Sequence, residues 1–286
     1  MGDSSSNFIL HAKSSQFHWE GNGQLSIKTF SNGKAHYKTT KGYYAVEESR
    51  YLLLNNGPYA ITIDDETEVE SFCIFFKEGF SEEIYRGLNE SSDQLLSDPF
   101  KETSSIGFFE KTYNQSNTIS HQIQMFKQRS ADNDSLWQEQ QFHAIMQSIL
   151  FEHMKTLKEV DSLDALRSST RNEIYKRIIT AHDYIRAYYN KQITLDNIAK
   201  AASLSTNHLL RNYAKIYNKT PYQHITELRI QKAFLLLKNF DYSMTDITFE
   251  VGLNNPVSFS KWFKQHTGTS PLQFRKKVIL DKNELV

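Results

Sequence analysis

Two stretches about fifty residues apart repeat one pattern, and that repetition constrains the fold more than anything else in the chain. The first runs through Leu195, Ile198, Ala199 and Ala202, turns at Ser203-Leu204-Ser205, and resumes through Leu209, Leu210 and Tyr213. The second runs through Ile247 and Val251, turns at Gly252-Leu253-Asn254-Asn255, and resumes through Phe259, Trp262 and Phe263. Each has a short helix with one apolar face, a Ser- or Gly-marked turn, and a second helix carrying a basic residue. That is the layout of a helix-turn-helix, in which one helix braces another. Two in tandem are much harder to obtain by accident than one.

Between them, Pro221 opens a longer helix with Ile225, Leu228, Ala233, Phe234 and Leu237 facing inward, proline being well suited to a first turn. This helix ends by about Asn239, and Asp241 to Ser243 turn the chain into the second unit. A helix of about 17 residues spans roughly 25 Å. With the short helices packed at its ends, it predicts two outward helices near one DNA turn apart, about 34 Å. Upstream, Glu173 to Tyr189 also has helical spacing, through Ile174, Ile178, Ala181 and Ile185. The formal net charge of zero conceals a division: residues 1–170 hold 15 Lys/Arg against 24 Asp/Glu, and residues 171–286 hold 18 against 9. The basic half fits attraction to a phosphate backbone, and the acidic half does not.

Over about 175–278 the sequence resembles the AraC/XylS family of bacterial transcription regulators. The second unit carries Ile247-Thr248, Gly252-Leu253, Lys261-Trp262-Phe263-Lys264, Gly268-Thr-Ser-Pro271 and Phe274-Arg275. The first carries Ile198-Ala199, Ser205, His208-Leu209 and Arg211, with Leu228-Arg229-Ile230 and Ala233 in the connecting helix. Departures from the family pattern are Thr248 for Ala, Leu253 for Phe, Tyr213-Ala214 for Phe-Lys, and Asn218 for the usual glycine. Asn218 can still take a left-handed cap, whereas Ala214 removes one phosphate contact. The second turn is one residue longer than the first, as the resemblance implies.

Residues facing away from the brace are the candidates for contact with bases: Thr206, Asn207, Leu210 and Arg211 in the first unit, and Asn255, Pro256, Val257, Ser258 and Lys261 in the second. Arg211 and Lys261 suit guanine edges, Asn207 an adenine, and Val257 or Leu210 a thymine methyl. The alternative for each is a solvated side chain or a phosphate contact. Lys215, Lys219, Lys264, Arg275 and Lys276 are expected beside phosphates, where they add affinity without reading sequence. Trp262, between Phe259 and Phe263, reads as core.

Upstream the pattern changes. Gln24–Phe30 and Tyr59–Ile63 alternate as strands, Glu70–Phe76 is a more continuously apolar run, and turn signals recur about every ten residues, Asn32-Gly33 among them. Ser105 to Tyr113 is a further candidate strand. From Thr118 the period is helical: Ile119, Ile123 and Phe126 mark one helix. Asp134-Ser135 caps a longer one, with Leu136, Phe142, Ile145, Met146, Ile149, Leu150, Met154 and Leu157 as its stripe. That stripe fits packing on the barrel or a dimer interface equally, and Val160 to Arg171 is the candidate linker. The strand-rich region resembles the cupin-like effector domain of such regulators. The fold class expected is therefore α+β multidomain. Residues 1–115 form a small cupin-like regulatory β-barrel, 116–170 the linker and dimerisation helices, and 171–286 an all-α domain of two helix-turn-helix units joined by a long helix.

No His-x-His or His-Glu-x-x-His occurs, so no metal site or cofactor is expected, and His36 stands without a partner at ligand spacing. Cys73, the one cysteine, lies in an apolar run and fits a reducing cytoplasm. The polar start Met1 to Asn7 lacks a signal pattern, and no apolar run reaches a membrane span. The reading is a cytoplasmic, sequence-specific regulator of promoter DNA. It acts as a homodimer, without catalytic residues, under a small effector of unknown identity or the dimer contact itself. The resemblance implies activation and contact with RNA polymerase. Two rivals stand beside it: a DNA-binding module fused to a repair-type enzyme, for which Cys73 is the only candidate acceptor, and a barrel whose helical tail binds protein.

Overall fold

The computed structural model describes residues 6–99, 101, 103–129, 134–163, 165 and 167–283. The chain forms two compact units, Met1–Asp183 and Tyr184–Val286.

In the first unit, strands β1 (Phe8–Gly23), β2 (Ser26–Ser31), β3 (Lys34–Thr39), β4 (Tyr43–Glu47), β5 (Arg50–Leu54) and β6 (Gly57–Phe75) precede helices α1 (Phe80–Asn89) and α2 (Ser92–Ser97). Strand β7 (Lys111–Asn114) and helices α3 (Asn117–Arg129) and α4 (Ser135–Asp161) follow. Helix α5 (Ser168–Tyr188) carries the chain across the boundary between the units. The sheet is antiparallel throughout and built on β6. One edge of β6 pairs with β1 along its length. The other edge pairs with β3 through Tyr59–Thr62 and with β2 through Glu70–Phe75. Two arms diverge from it, β3–β4 and β2–β5–β7, and fold over into a nearly closed barrel.

Alternation along the strands divides the apolar residues between two cores. Phe30, Leu52, Leu54, Cys73 and Phe75 face the lumen with Tyr37, Tyr44, Tyr59 and Ile61. Their neighbours Ile27, Tyr51, Leu53, Phe72, Ile74 and Phe76 face outward and are covered by Ile119, Ile123 and Phe126 of α3 and Phe142, Ile145, Met146, Ile149 and Leu150 of α4. The continuous apolar reading of Glu70–Phe76 is thus a strand buried on both faces. The stripe of α4 packs on its own barrel, leaving Leu136, Phe151, Met154 and Leu157 exposed.

One polar group enters the lumen side. Lys28 is 1% exposed. Its register partner on β6 is Cys73, its Nζ donates to Tyr59 Oη at 3.2 Å, and it lies 3.5 Å from the Phe75 ring centroid. Burial lowers its pKa to about 8, and burial pushes the Cys73 thiol up.

Several expectations need adjustment. The Ser105–Tyr113 segment is a strand only from Lys111, because Asn55 holds the chain at Phe108 through both backbone groups, N–H to Oδ1 at 3.0 Å and C=O from Nδ2 at 2.8 Å. The linker expected over Val160–Arg171 is helical at both ends, since α4 runs to Asp161 and α5 starts at Ser168. The division between units falls at Asp183 rather than 170. Lys111 Nζ donates to Tyr175 Oη at 2.8 Å and the Thr112 hydroxyl to Asp183, which hold the first part of α5 to the barrel unit. Asp134 caps α4 as expected, accepting from the Trp137 N–H at 3.0 Å.

The second unit continues with α6 (Leu195–Ala201), α7 (Thr206–Tyr217), α8 (Pro221–Lys238), α9 (Met244–Glu250), α10 (Pro256–Thr267) and α11 (Pro271–Asn283). Ile198, Ala199, Leu209, Tyr213, Ile225 and Leu228 are buried in its first half. Ala233, Leu237, Ile247, Val251, Phe259 and Phe263 form the core of its second.

Candidate nucleic-acid interface

The two helix pairs are built by the same local chemistry. Thr194 and Ser243 begin α6 and α9 with reciprocal capping boxes, closed by Asn197 and Asp246. Hydrogen bonds from Ser243 hold the Asp246 carboxyl below its usual pKa. Each turn then needs one left-handed residue, Ser203 at φ 53° and Gly252 at φ 80°. The next amide closes the turn backwards, Leu204 N–H to Ala199 C=O and Leu253 N–H to Thr248 C=O, both at 2.9 Å. Ser205 and Asn255 cap the outward helices α7 and α10. Asn218 and Gly268 end them in the left-handed conformation, and Thr220-Pro221 and Ser270-Pro271 open the next helices. Each cap contributes about 1 kcal/mol. The turns span Ala202–Ser205 and Val251–Asn255, so the second is one residue longer.

Asn207, Arg211 and Lys215 lie exposed one turn apart along α7, with Thr206 and Leu210 half-buried beside them. On α10, Val257, Ser258, Lys261 and Lys264 are exposed and Pro256 is half-buried at the first turn. Phe259 and Phe263 are fully buried beneath, and Trp262 is half-buried at the edge of that core, its ring 5.3 Å from that of His266. Lys276 is exposed on α11.

Three candidates are engaged otherwise than expected. The Arg275 guanidinium donates to the carbonyls of Leu237, Asn239 and Tyr242, so it holds α11 to the end of α8. Lys219 is ion-paired with Glu227 on α8, which neutralises its charge locally. Asn255 Oδ1 accepts from the Val257 and Ser258 N–H groups at 2.8 and 3.2 Å, leaving only its amide donors for a base.

Two residues outside the expected set hold the unit together. Arg229 donates to the Tyr189 carbonyl at 2.7 Å and the Lys191 carbonyl at 2.9 Å. Gly252 packs so closely on Asn190 that a Cβ would stand 2.6 Å from its backbone, and its carbonyl accepts from Gln192 Nε2 at 3.1 Å. In sequence Gly252 stands out as a turn residue and both belong to the family pattern, but neither the contact with Asn190 nor the carbonyl partners of Arg229 leave a signal there.

Comparison with known proteins agrees with this geometry. Residues 198–277 match the helix-turn-helix domain family. An HTH-type transcriptional regulator of Bacillus subtilis, YdeC, is 35% identical over 94 residues, covering 33% of this chain and 32% of that protein. The lactose operon transcription activator of Staphylococcus xylosus is 32% identical over 95 residues, covering 33% and 34%. For both, the match spans about a third of the relative's length. An HTH-type transcriptional regulator from the cgkA 5′ region of Pseudoalteromonas carrageenovora is 31% identical over 123 residues, covering 42% of this chain and 72% of that protein. With both helix pairs formed, the chain belongs to the AraC/XylS family of helix-turn-helix transcriptional regulators.

Proposed function

We propose that the chain binds promoter DNA through α7 and α10 in successive major-groove segments, and activates transcription under control of its barrel unit. The observation that carries this reading is the pair of capped helices whose buried faces are apolar and whose exposed faces carry Asn207, Arg211 and Lys215 on one and Val257, Ser258 and Lys261 on the other. Arg211 and Lys261 are assigned to guanine edges, Asn207 to an adenine, and Val257 to a thymine methyl. Thr206, Leu210, Pro256 and Ser258 complete the two surfaces, and Asn255 contributes through its amide donors. Lys215, Lys264 and Lys276 neutralise phosphates.

The chain works in the cytoplasm as a homodimer, for which the exposed Phe151, Met154 and Leu157 on α4 supply an apolar face. RNA polymerase is the further partner of an activator. The similarity to the Staphylococcus lactose operon activator supports activation. Against the repair-enzyme alternative stands Cys73, buried at 4% exposure with its thiol pushed up by burial, the opposite of a reactive acceptor.

Gel-shift titration of the full chain on the promoter fragments flanking its own gene tests the reading. Binding should weaken steeply with salt, and Arg211→Ala and Lys261→Ala should each weaken it by about 1–3 kcal/mol while relaxing preference at one base pair. Failure to bind any such fragment, or equal binding by both variants, would overturn it.

A further inference from the structure

Strand β1 is paired along one edge only. Among the described residues its partner is β6 alone, over nearly its whole length, and no strand meets the backbone groups of its other edge. At 16 residues this is a long edge, and native edges are usually protected by charge, by proline or by being short. This one carries a single lysine, Lys13, a single carboxylate, Glu20, and no proline.

Its side chains are open as well. Residues 10–13 and 16–20 are exposed without a break, so neither face of the strand is covered there. Among them Leu10 is 45%, Phe17 46% and Trp19 38% exposed. Leu10 lies opposite Cys73 and Phe17 opposite Ile63, and the Trp19 ring meets that of Tyr59 at 5.0 Å, so all three stand on the face of the lumen residues. Lys13 and Glu20 stand on the other face. Two residues before them, His11 meets Phe72 edge-on at 5.3 Å and His18 Nδ1 lies 3.1 Å from the Thr62 hydroxyl, on the reverse side of β6.

The strand matches itself. Ser14 lies opposite Val69 and Phe17 opposite Ile63, both lumen residues, so one extra residue stands between them, where the register with β6 breaks at Ser14/Gln16. With a two-fold axis at Phe17 and a second β1 laid antiparallel on the free edge, Phe17 faces Phe17 of the second copy. The extra residue moves the register by one. Beyond it Lys13 comes opposite Glu20 of the second copy, on the same face, and Glu20 opposite Lys13 of that copy. The two charges of the strand balance each other twice, like charges are nowhere opposed, and the pairing closes at two copies. A strand of another protein would meet this count only by chance.

We propose that two copies of the chain join edge to edge through β1, antiparallel, so that the two barrels share one continuous sheet with Phe17 at its axis. The inference rests on the homodimer of the proposed function and gives it a surface that fixes register, which the apolar residues of α4 do not.

The test is sedimentation velocity of the full chain over a concentration series, with circular dichroism to show that each variant is folded. Phe17→Glu sets two carboxylates face to face at the axis and should leave monomers where the parent is a dimer. Lys13→Glu opposes like charges at both ends of the pairing and should weaken the dimer at least about tenfold, and Lys13→Glu/Glu20→Lys should restore it. A dimer that Phe17→Glu and Lys13→Glu leave intact, or that the charge exchange fails to rescue, overturns the proposal. Loss of the dimer in Met154→Lys, with both β1 variants unchanged, overturns the β1 pairing and keeps the homodimer through α4. A parent that is monomeric at every concentration overturns the homodimer as well.

Discussion

Arg229 and Arg275 do the same work from different helices: each guanidinium bonds to backbone carbonyls at the end of an earlier helix, Arg229 after α5 and Arg275 after α8. A helix end leaves its last carbonyls without internal partners, and a half-buried cationic fork satisfies two or three at once. The position of each helix pair is therefore fixed by an arginine outside the pair itself.

Arg275→Ala should accordingly lower the stability of the chain by roughly 1.5–3 kcal/mol, the range for hydrogen bonds to a charged group. Where the variant remains folded, the slope of log affinity against log salt should stay unchanged. Lys264→Ala should do the reverse, leaving stability within about 0.5 kcal/mol and reducing that slope by about 1. Urea melts together with salt-dependent gel shifts distinguish the two, and a reduced slope for folded Arg275→Ala would return it to the phosphate contacts.

Gly252→Ala combines a left-handed backbone with a Cβ driven against Asn190, so it should destabilise by more than the roughly 1–2 kcal/mol of the conformation alone. Ser203→Gly relieves the same conformation in the first turn and should stabilise modestly. Thermal melts of the two variants should move in opposite directions; equal shifts would mean that the turn conformation does not control either unit.

Lys28 gives the barrel a pH dependence. Its pKa lies near 8 in the folded chain against 10.5 for a free lysine, so between these values the unfolded chain holds more protons. Stability should rise with pH across this window, and below it the buried charge destabilises by on the order of 3 kcal/mol. Lys28→Met should raise the urea midpoint at pH 7 and flatten the rise from pH 8 to 10. A variant less stable than the parent at pH 7 would show that the contacts to Tyr59 and Phe75 outweigh the desolvation.

Cys73 should resist thiol reagents until the barrel opens. Labelling of the native chain with a disulfide reagent should run at least about 100-fold slower than in denaturant, because reaction requires both exposure and ionisation. Rapid stoichiometric labelling under native conditions would revive the enzymatic alternative.

The second unit was legible because its determinants are local. The capping pairs Thr194–Asn197 and Ser243–Asp246 lie three residues apart, and the apolar stripes lie within single helices. The carbonyl bonds of Arg275 were not legible because its partners lie 33 to 38 residues away, and nothing in Phe274-Arg275 distinguishes a guanidinium aimed at carbonyls from one aimed at phosphate. In the first unit the strand periods were visible, but the extent of β6 was not, since its middle around Asp64–Glu68 is polar and reads as a loop. Strand β1 was hidden for a related reason: it is the outer neighbour of β6 and shows no regular alternation of burial.

The double burial of β2, β5 and β6 makes the barrel side a party wall, one chain thick, with Lys28 and Cys73 on one face and Ile27, Phe72 and Ile74 against the helices on the other. Close-packed interiors yield little to compression. A side chain that changes its seat within the lumen therefore pushes on strands whose reverse face is the bed of α3 and α4. A change within the lumen would meet the helices through the pleat itself, with no loop between them.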